Sequence, residues 1–159
     1  MPADNLIGEE GQGFYHALAG LEHERLCLAA QAGAMAELAM ERTLAWLRER
    51  PGYGRKLWEL QSLRHELARF SSELTAAKSL LYLTAAKTSR GEDIKIEACM
   101  LKALLPEFVN RIISKCTQFH GGSGFVEGEL IERLARDARF LAIGGGCTEV
   151  MLNEIAKRL

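Results

Sequence analysis

The residue in this chain best suited to proton chemistry is Glu24, which lies within a long stretch with helical periodicity. Residues three and four positions away share its helix face, and for Glu24 these are Gly20, Leu21, Cys27 and Leu28. A carboxylate on such a face is either solvated at a gap in the packing or sheltered for chemistry. Sheltering would raise its pKa, because loss of water disfavours the charged form, and would make it a proton acceptor near neutral pH.

The neighbouring carboxylate, Glu22, has a different setting. Arg25 follows it at i+3, so we expect these two side chains to form an ion pair on one face. Glu24 has no such partner on its own helix.

Three glycine-containing stretches also suggest chemistry. They are RPGYG at residues 50–54, QFHGGSGF at 118–125 leading to RDAR at 136–139, and IGGGCTEV at 143–150. Glycine at a helix edge lets a backbone or a phosphate approach closely, and the N-terminus of a following helix offers free N–H groups to an anion. Each stretch alone has a simpler explanation as a cap or a tight turn.

The composition is that of one helical domain. The chain has 159 residues, of which 48% are hydrophobic and 26% charged, with only three prolines, and this length suffices for a core. A net charge of −1 gives no electrostatic reason to expect nucleic acid or an anionic membrane surface as a partner. The four cysteines are widely spaced without a Cys-x-x-Cys pair, which argues against a disulfide framework and a metal site. With no signal peptide and no apolar run of bilayer length, we expect a soluble intracellular domain with reduced thiols.

Hydrophobic periodicity predicts five helices, at about residues 12–49, 56–89, 93–119, 131–138 and 147–159. The predicted apolar positions are Phe14, Leu18, Leu21, Leu28, Met35, Ala39 and Trp46 in the first helix, Leu60, Leu63, Leu67, Phe70, Leu74, Ala77 and Leu81 in the second, and Leu101, Leu104, Leu105, Phe108, Val109, Ile112 and Ile113 in the third. Pro106 falls inside the third helix and should kink it. We therefore expect an all-α, antiparallel four-helix bundle with one short extra helix. Residues 1–10 should lead into the bundle, which occupies residues 11–159.

In this order and spacing, the three stretches resemble the C-terminal domain of the acyl-CoA dehydrogenases. The resemblance covers essentially the whole chain and begins at NLIGEEGQGF, residues 5–14. It implies a four-helix bundle, and a full enzyme with an N-terminal helical domain and a middle β-domain in addition. Neither is present in these residues, so we expect a piece of a longer enzyme that has little or no activity and retains no flavin on its own.

The resemblance implies FAD as the cofactor of the full enzyme. The residues that match its binding positions are Arg50, Gln61, Gln118, Gly121, Gly122, Cys147 and Glu149. Arg50 matches an arginine that meets the FAD pyrophosphate of a neighbouring subunit, a role that suits a guanidinium fork. Cys147 replaces the usual threonine near the flavin and offers a weaker S–H donor. The alternatives are a helix-end salt bridge for Arg50 and a plain helix cap for the glycine pair.

The position of the catalytic base is the most informative part of the resemblance. Most family members place a glutamate in a Tyr-Glu-Gly-Thr sequence at the third stretch, where this chain has GGGC, with Gly145 in the glutamate's position. A minority, including the long-chain and isovaleryl enzymes, carry the base on the first long helix just before an arginine, and Glu24 and Arg25 stand there. The resemblance thus implies that Glu24 removes the α-proton of an acyl-CoA thioester while the β-hydride passes to the flavin. The enolate oxygen would be held by the N–H of Gly145 and a flavin ribityl hydroxyl, with Arg25 orienting or tuning the base.

The resemblance also implies partners. They are an acyl-CoA substrate, a homo-oligomer (dimer or tetramer) and an electron-transferring flavoprotein, with oxygen as the electron acceptor in related oxidases. The expected compartment is the bacterial cytoplasm or the mitochondrial matrix. The alternative function is a non-catalytic interaction module, whose uncovered apolar helix faces drive self-association.

Overall fold

The computed structural model describes residues 2–159 of the chain. Within them the α-helices are α1 (Gly13–Glu49), α2 (Gln61–Ser89), α3 (Lys95–His120), α4 (Leu130–Leu141) and α5 (Thr148–Ala156). The shorter elements are strands β1 (Pro51–Gly52) and β2 (Arg55–Lys56) and 3-10 helices at Ala3–Asn5, Leu57–Glu59 and Gly121–Phe125. Helix α3 is central, because it packs against each of the other α-helices. The predicted all-α bundle is confirmed.

The connection between α1 and α2 is a small hairpin, which the sequence did not predict. Pro51 pairs with Lys56 across the two short strands. The loop residues Tyr53 and Gly54 both have positive φ, 53° and 74°, as a two-residue hairpin turn requires. The prediction that the second helix begins near residue 56 was therefore wrong, and α2 begins at Gln61.

The buried face of α1 is made largely of small residues. The alanines at the α1–α3 contact are fully buried: Ala29, Ala32, Ala36 and Ala39. Side chains this small let two helix backbones approach closely. The first turns of α1 lie outside this contact, since Phe14 and Leu18 are 69% and 44% exposed although they fit the predicted periodicity.

The predicted apolar positions of α2 and α3 are largely confirmed as core. The α2 residues Leu67, Phe70, Leu74, Ala77 and Leu81 are buried, as are Leu101, Leu105, Phe108, Val109, Ile112 and Ile113 in α3. Leu104 was placed wrongly, because it is 50% exposed. Helix α3 continues through the buried Pro106 to His120. No helix among residues 2–159 combines the length and apolar character needed to cross a bilayer.

Candidate active site between α1, α3 and the glycine turn

The segment between α4 and α5, residues 142–147, is called the glycine turn here. Its first part is fixed by two hydrogen bonds, since the N–H groups of Ile143 and Gly144 both donate to the carbonyl of Phe140 at 2.9 Å. Gly145 and Gly146 then adopt φ values of 69° and 101°, which glycine accepts without strain. The turn reaches α1, because a Cβ placed on Gly145 would lie 2.6 Å from Cδ1 of Leu28.

Glu24 lies against this turn. Its Oε1 is 3.4 Å from the position that a Cβ on Gly145 would occupy. A side chain at position 145 would compete for the space that Glu24 and Leu28 take. The carboxylate is nevertheless exposed within the described chain, so these residues do not shelter it from water. Any sheltering has to come from another part of the protein or from a bound molecule.

Arg25 holds the glycine turn and does not form the predicted pair with Glu22. Its Nε donates to the carbonyl oxygen of Gly145 at 3.3 Å, and its Nη1 lies 3.7 Å from Sγ of Cys99. Among the ion pairs of the described residues, none joins Glu22 to Arg25. Our expectation of that pair was wrong, because Arg25 reaches a carbonyl on the far end of the chain.

Lys102 is the residue of this site that the sequence reasoning missed. It lies in α3 and is fully buried. Its Nζ donates to the carbonyl of Leu141 at 2.7 Å and to that of Gly146 at 3.0 Å. Burial lowers the pKa of the ammonium, because the charged form loses water, and the positive charge of Arg25 lowers it further. The signal that could have found it is a lysine between the core residues Leu101 and Ala103 of a helix covered on more than one side.

The end of the turn carries two of the residues matched to the cofactor. Cys147 is half-buried and immediately precedes α5, and Glu149 is exposed in the first turn of that helix. Hydrogen bonds from its own backbone N–H and from the Cys147 thiol lower the pKa of Glu149. The other residues matched to the cofactor have no hydrogen bond to this turn among the described residues; they are Arg50, Gln61, Gln118, Gly121 and Gly122.

A second cluster joins the end of α1 to the end of α3. The guanidinium Cζ of Arg50 lies 5.3 Å from the centre of the Trp46 ring, which stacks on His120 at 5.0 Å with 15° between the planes. The indole Nε1 of Trp46 donates to the carbonyl of Phe119 at 3.1 Å. Burial lowers the pKa of His120, and attraction by Glu129 opposes that shift. Among the described residues Arg50 forms no ion pair, so the alternative of a helix-end salt bridge is not observed.

Three of the predicted cofactor residues line one groove beside this cluster. Gln118, Gly121 and Gly122 border a space of about 640 Å³ together with Phe125 of the following turn. A Cβ on either glycine would meet no atom within 4 Å, so the edge is open to a ligand. Gln61 lies elsewhere, exposed at the first position of α2. Within residues 2–159 no cluster of three or more His, Cys, Asp or Glu side chains could hold a metal ion.

Comparison with known proteins identifies the class. Residues 11–159 match the family model described as "Acyl-CoA dehydrogenase, C-terminal domain". The chain is 32% identical over 157 residues to the mitochondrial short/branched chain specific acyl-CoA dehydrogenase of Bos taurus, covering 99% of this chain and 36% of that protein. It is 31% identical over 150 residues to subunit CarC of the caffeyl-CoA reductase–Etf complex of Acetobacterium woodii, covering 94% of this chain and 40% of the relative.

The solved structures agree with this result. The crystal structure of an acyl-CoA dehydrogenase from Geobacillus kaustophilus superposes with a TM-score of 0.96 at 32% identity, over 99% of this chain and 42% of the other. The chain therefore belongs to the acyl-CoA dehydrogenase family and corresponds to its C-terminal domain. It spans about two fifths of the length of these relatives.

Proposed function

We propose that this chain is the helical domain of an FAD-dependent acyl-CoA dehydrogenase in which Glu24 is the catalytic base. The observation that carries the proposal is the 3.4 Å approach of Glu24 Oε1 to the Cβ position of Gly145. A glutamate at position 145 would project into this space, so a base on α1 reaches the same region from the opposite side. Residues 1–10 then lead into the domain from the rest of the enzyme.

The chemistry is removal of two hydrogens from an acyl-CoA thioester. The carboxylate of Glu24 accepts the α-proton and becomes a carboxylic acid, and the electron pair of the broken C–H bond forms the α,β double bond. Bound FAD would supply the acceptor for the hydride of the β-carbon. A general base in position commonly contributes a factor of about 10²–10⁴ in rate.

The glycine turn supplies a donor for the thioester oxygen. Within residues 2–159 the N–H of Gly145 has no hydrogen-bond acceptor, whereas the N–H of Gly144 is bonded to Phe140. The developing enolate oxygen carries negative charge, and a preorganised N–H at such an oxygen is worth roughly 3 kcal/mol of the barrier. Arg25 fixes this donor by bonding the carbonyl of the same residue.

The second cluster fits the adenosine-diphosphate half of FAD. The open edge at Gly121 and Gly122 admits a ligand close to the backbone, and Gln118 offers an amide there. Arg50 stacks on Trp46. Its guanidinium has no carboxylate partner among the described residues, so it is available to bind a phosphate. Gln61, Cys147 and Glu149 complete the set that we assign to the cofactor.

The test is Glu24→Gln in the full-length enzyme that contains this chain. We expect flavin content to be unchanged and flavin reduction by acyl-CoA to fall by about 10²–10⁴-fold, because the amide cannot accept the proton. The matched control is Glu22→Gln, a carboxylate two residues away on α1, which should leave the reduction rate unaltered. Full activity of Glu24→Gln would disprove the assignment of the base.

The relatives support a proposal for the partners and compartment of the whole enzyme. One relative is named as a subunit of a reductase–Etf complex, which favours an electron-transferring flavoprotein as electron acceptor. We place the enzyme in the bacterial cytoplasm or the mitochondrial matrix, as a homo-oligomer. The isolated chain should show little activity, because most of the flavin and substrate sites belong to the other domains.

A non-catalytic interaction module is the second candidate. The observation that favours it is the exposure of large apolar side chains, among them Ile7 (90%), Phe14 (69%) and Phe125 (87%). Surfaces of this kind are covered by other domains or subunits in stable proteins. Flavin binding by the full-length protein would decide for the enzyme, and self-association without flavin would decide for the module.

A further inference from the structure

The most unusual buried group in the molecule is the ammonium of Lys102, which the proposed mechanism does not use. Its residue has no exposed surface. A lysine is rarely buried without a carboxylate partner, since removing a charge from water costs several kcal/mol. Here both observed partners are backbone carbonyls, of Leu141 and of Gly146.

The two carbonyls stand at the two ends of the glycine turn. Leu141 is the last residue of α4, so its carbonyl belongs to the negative end of that helix, where a cation is favoured. Gly146 is the residue after the proposed oxyanion donor. The Lys102 ammonium therefore connects the C-terminal end of α4 to the residue that follows Gly145.

The turn is held from a second direction by Arg25, whose Nε bonds the carbonyl of Gly145. The carbonyls of residues 145 and 146 are thus both engaged by cations. These contacts fix the two peptide units that follow the Gly145 N–H. The Lys102 side chain also lies beside Gly145, because its Cε is 3.7 Å from the Cβ position of that residue.

The same cation lies close to the proposed base. Attraction between Glu24 and Lys102 opposes the effects of burial on the lysine pKa. In the proposed reaction, negative charge passes from the Glu24 carboxylate to the enolate oxygen beside this turn. A buried positive charge near the turn favours negative charge at both places.

We propose that Lys102 is a positioning residue that clamps the glycine turn and so aims the Gly145 N–H beside Glu24. The catalytic consequence rests on the proposed function, whereas the clamping of the turn is a property of the chain itself. The experiment therefore measures the opening of the turn and the rate of the reaction separately.

The variant is Lys102→Met in the full-length flavoenzyme, which keeps a long side chain and removes the donors. Hydrogen–deuterium exchange at residues 142–150 should accelerate by about ten-fold, because the turn opens more often. The amides of Ile143 and Gly144, both bonded to Phe140, report this opening. The rate constant of flavin reduction should fall by about ten-fold or more, while the dissociation constant for acyl-CoA changes by less than about three-fold.

The control is Val109→Ala, a fully buried residue two turns further along the same helix. It should lower the melting temperature and leave both turn exchange and flavin reduction near the values of the unmodified enzyme. Equal changes of turn exchange in both variants would overturn the proposal, since Lys102 would then act only through general stability. Unchanged exchange in Lys102→Met would overturn it as well.

A second variant, Lys102→Gln, covers the case in which the methionine protein does not fold. Glutamine can bond one of the two carbonyls, so intermediate turn exchange supports the clamp. Failure of both variants to fold while Val109→Ala folds would replace the positioning role by a folding role and overturn the proposal. Full activity of Glu24→Gln with fast turn exchange in Lys102→Met would instead refute the assigned base and retain the clamp.

Discussion

Replacement of Gly145 by alanine tests the contact between the glycine turn and α1. Two costs follow from the structure. An alanine at a φ of 69° loses about 1–2 kcal/mol relative to glycine, because its Cβ approaches the following carbonyl. The new Cβ would also lie 2.6 Å from Cδ1 of Leu28, and moving that side chain off its rotamer costs about 1 kcal/mol.

The expected loss for Gly145→Ala is therefore about 2–3 kcal/mol in the free energy of unfolding, or about 4–12 °C in melting temperature for a chain of this size. Urea or thermal unfolding followed by circular dichroism measures it.

Gly128→Ala is the matched control, since Gly128 has a φ of 93° and no atom lies within 4 Å of its Cβ position. It should show only the backbone cost. In a Leu28→Ala background, the cost of Gly145→Ala should be smaller by part of the loss specific to position 145. Equal destabilisation at positions 128 and 145 would refute the contact of the turn with α1.

Two further predictions concern the cluster around His120. Trp46→Phe removes the donor to the Phe119 carbonyl and should lower the free energy of unfolding by about 1–2 kcal/mol, measured by urea denaturation. Trp58→Phe should change it less, because the half-buried Trp58 donates no hydrogen bond among the described residues. Equal losses in the two variants would contradict the role of that hydrogen bond. Burial in the folded state lowers the pKa of His120, so the unfolded chain binds a proton first as pH falls through about 6.5. His120 should therefore make the protein less stable at pH 5.5 than at pH 7.5. In His120→Gln this pH-dependent loss of stability should shrink. An identical pH dependence of His120→Gln and the unmodified protein would contradict the effect of burial.

The helices could be predicted because their signals are local. The seam of α2 follows from a repeat that any helix imposes on the residues facing its core, and Gly91 after α2 has the positive φ, 72°, of a helix stop. The start of α2 was missed because the hairpin of residues 51–56 is stabilised by pairing between strands. Strands of two residues are too short to show a recognisable pattern in the sequence.

The candidate site divides in the same way. Glu24 was singled out in the sequence because it has no partner on its own helix face, and Gly145 because of the resemblance to the acyl-CoA dehydrogenases. Their catalytic roles stay predictions. The partner of Arg25 was predicted wrongly, because its guanidinium bonds the carbonyl of Gly145, 120 residues away, and not the carboxylate of Glu22 at i−3. Glu24 is exposed because no other part of the described chain packs over it, and this could not be read from the sequence.

The amino-acid sequence by itself determined the helical class, the family and the position of the unpaired glutamate, because periodicity and motif spacing are carried along the chain. Only the tertiary structure decided that Lys102 is a buried clamp, since its two acceptors lie 39 and 44 residues away and meet it only when α3 packs against the end of α4 and the glycine turn. The Lys102 ammonium bonds these carbonyls instead of water because it is buried, and burial is a property of the packed chain.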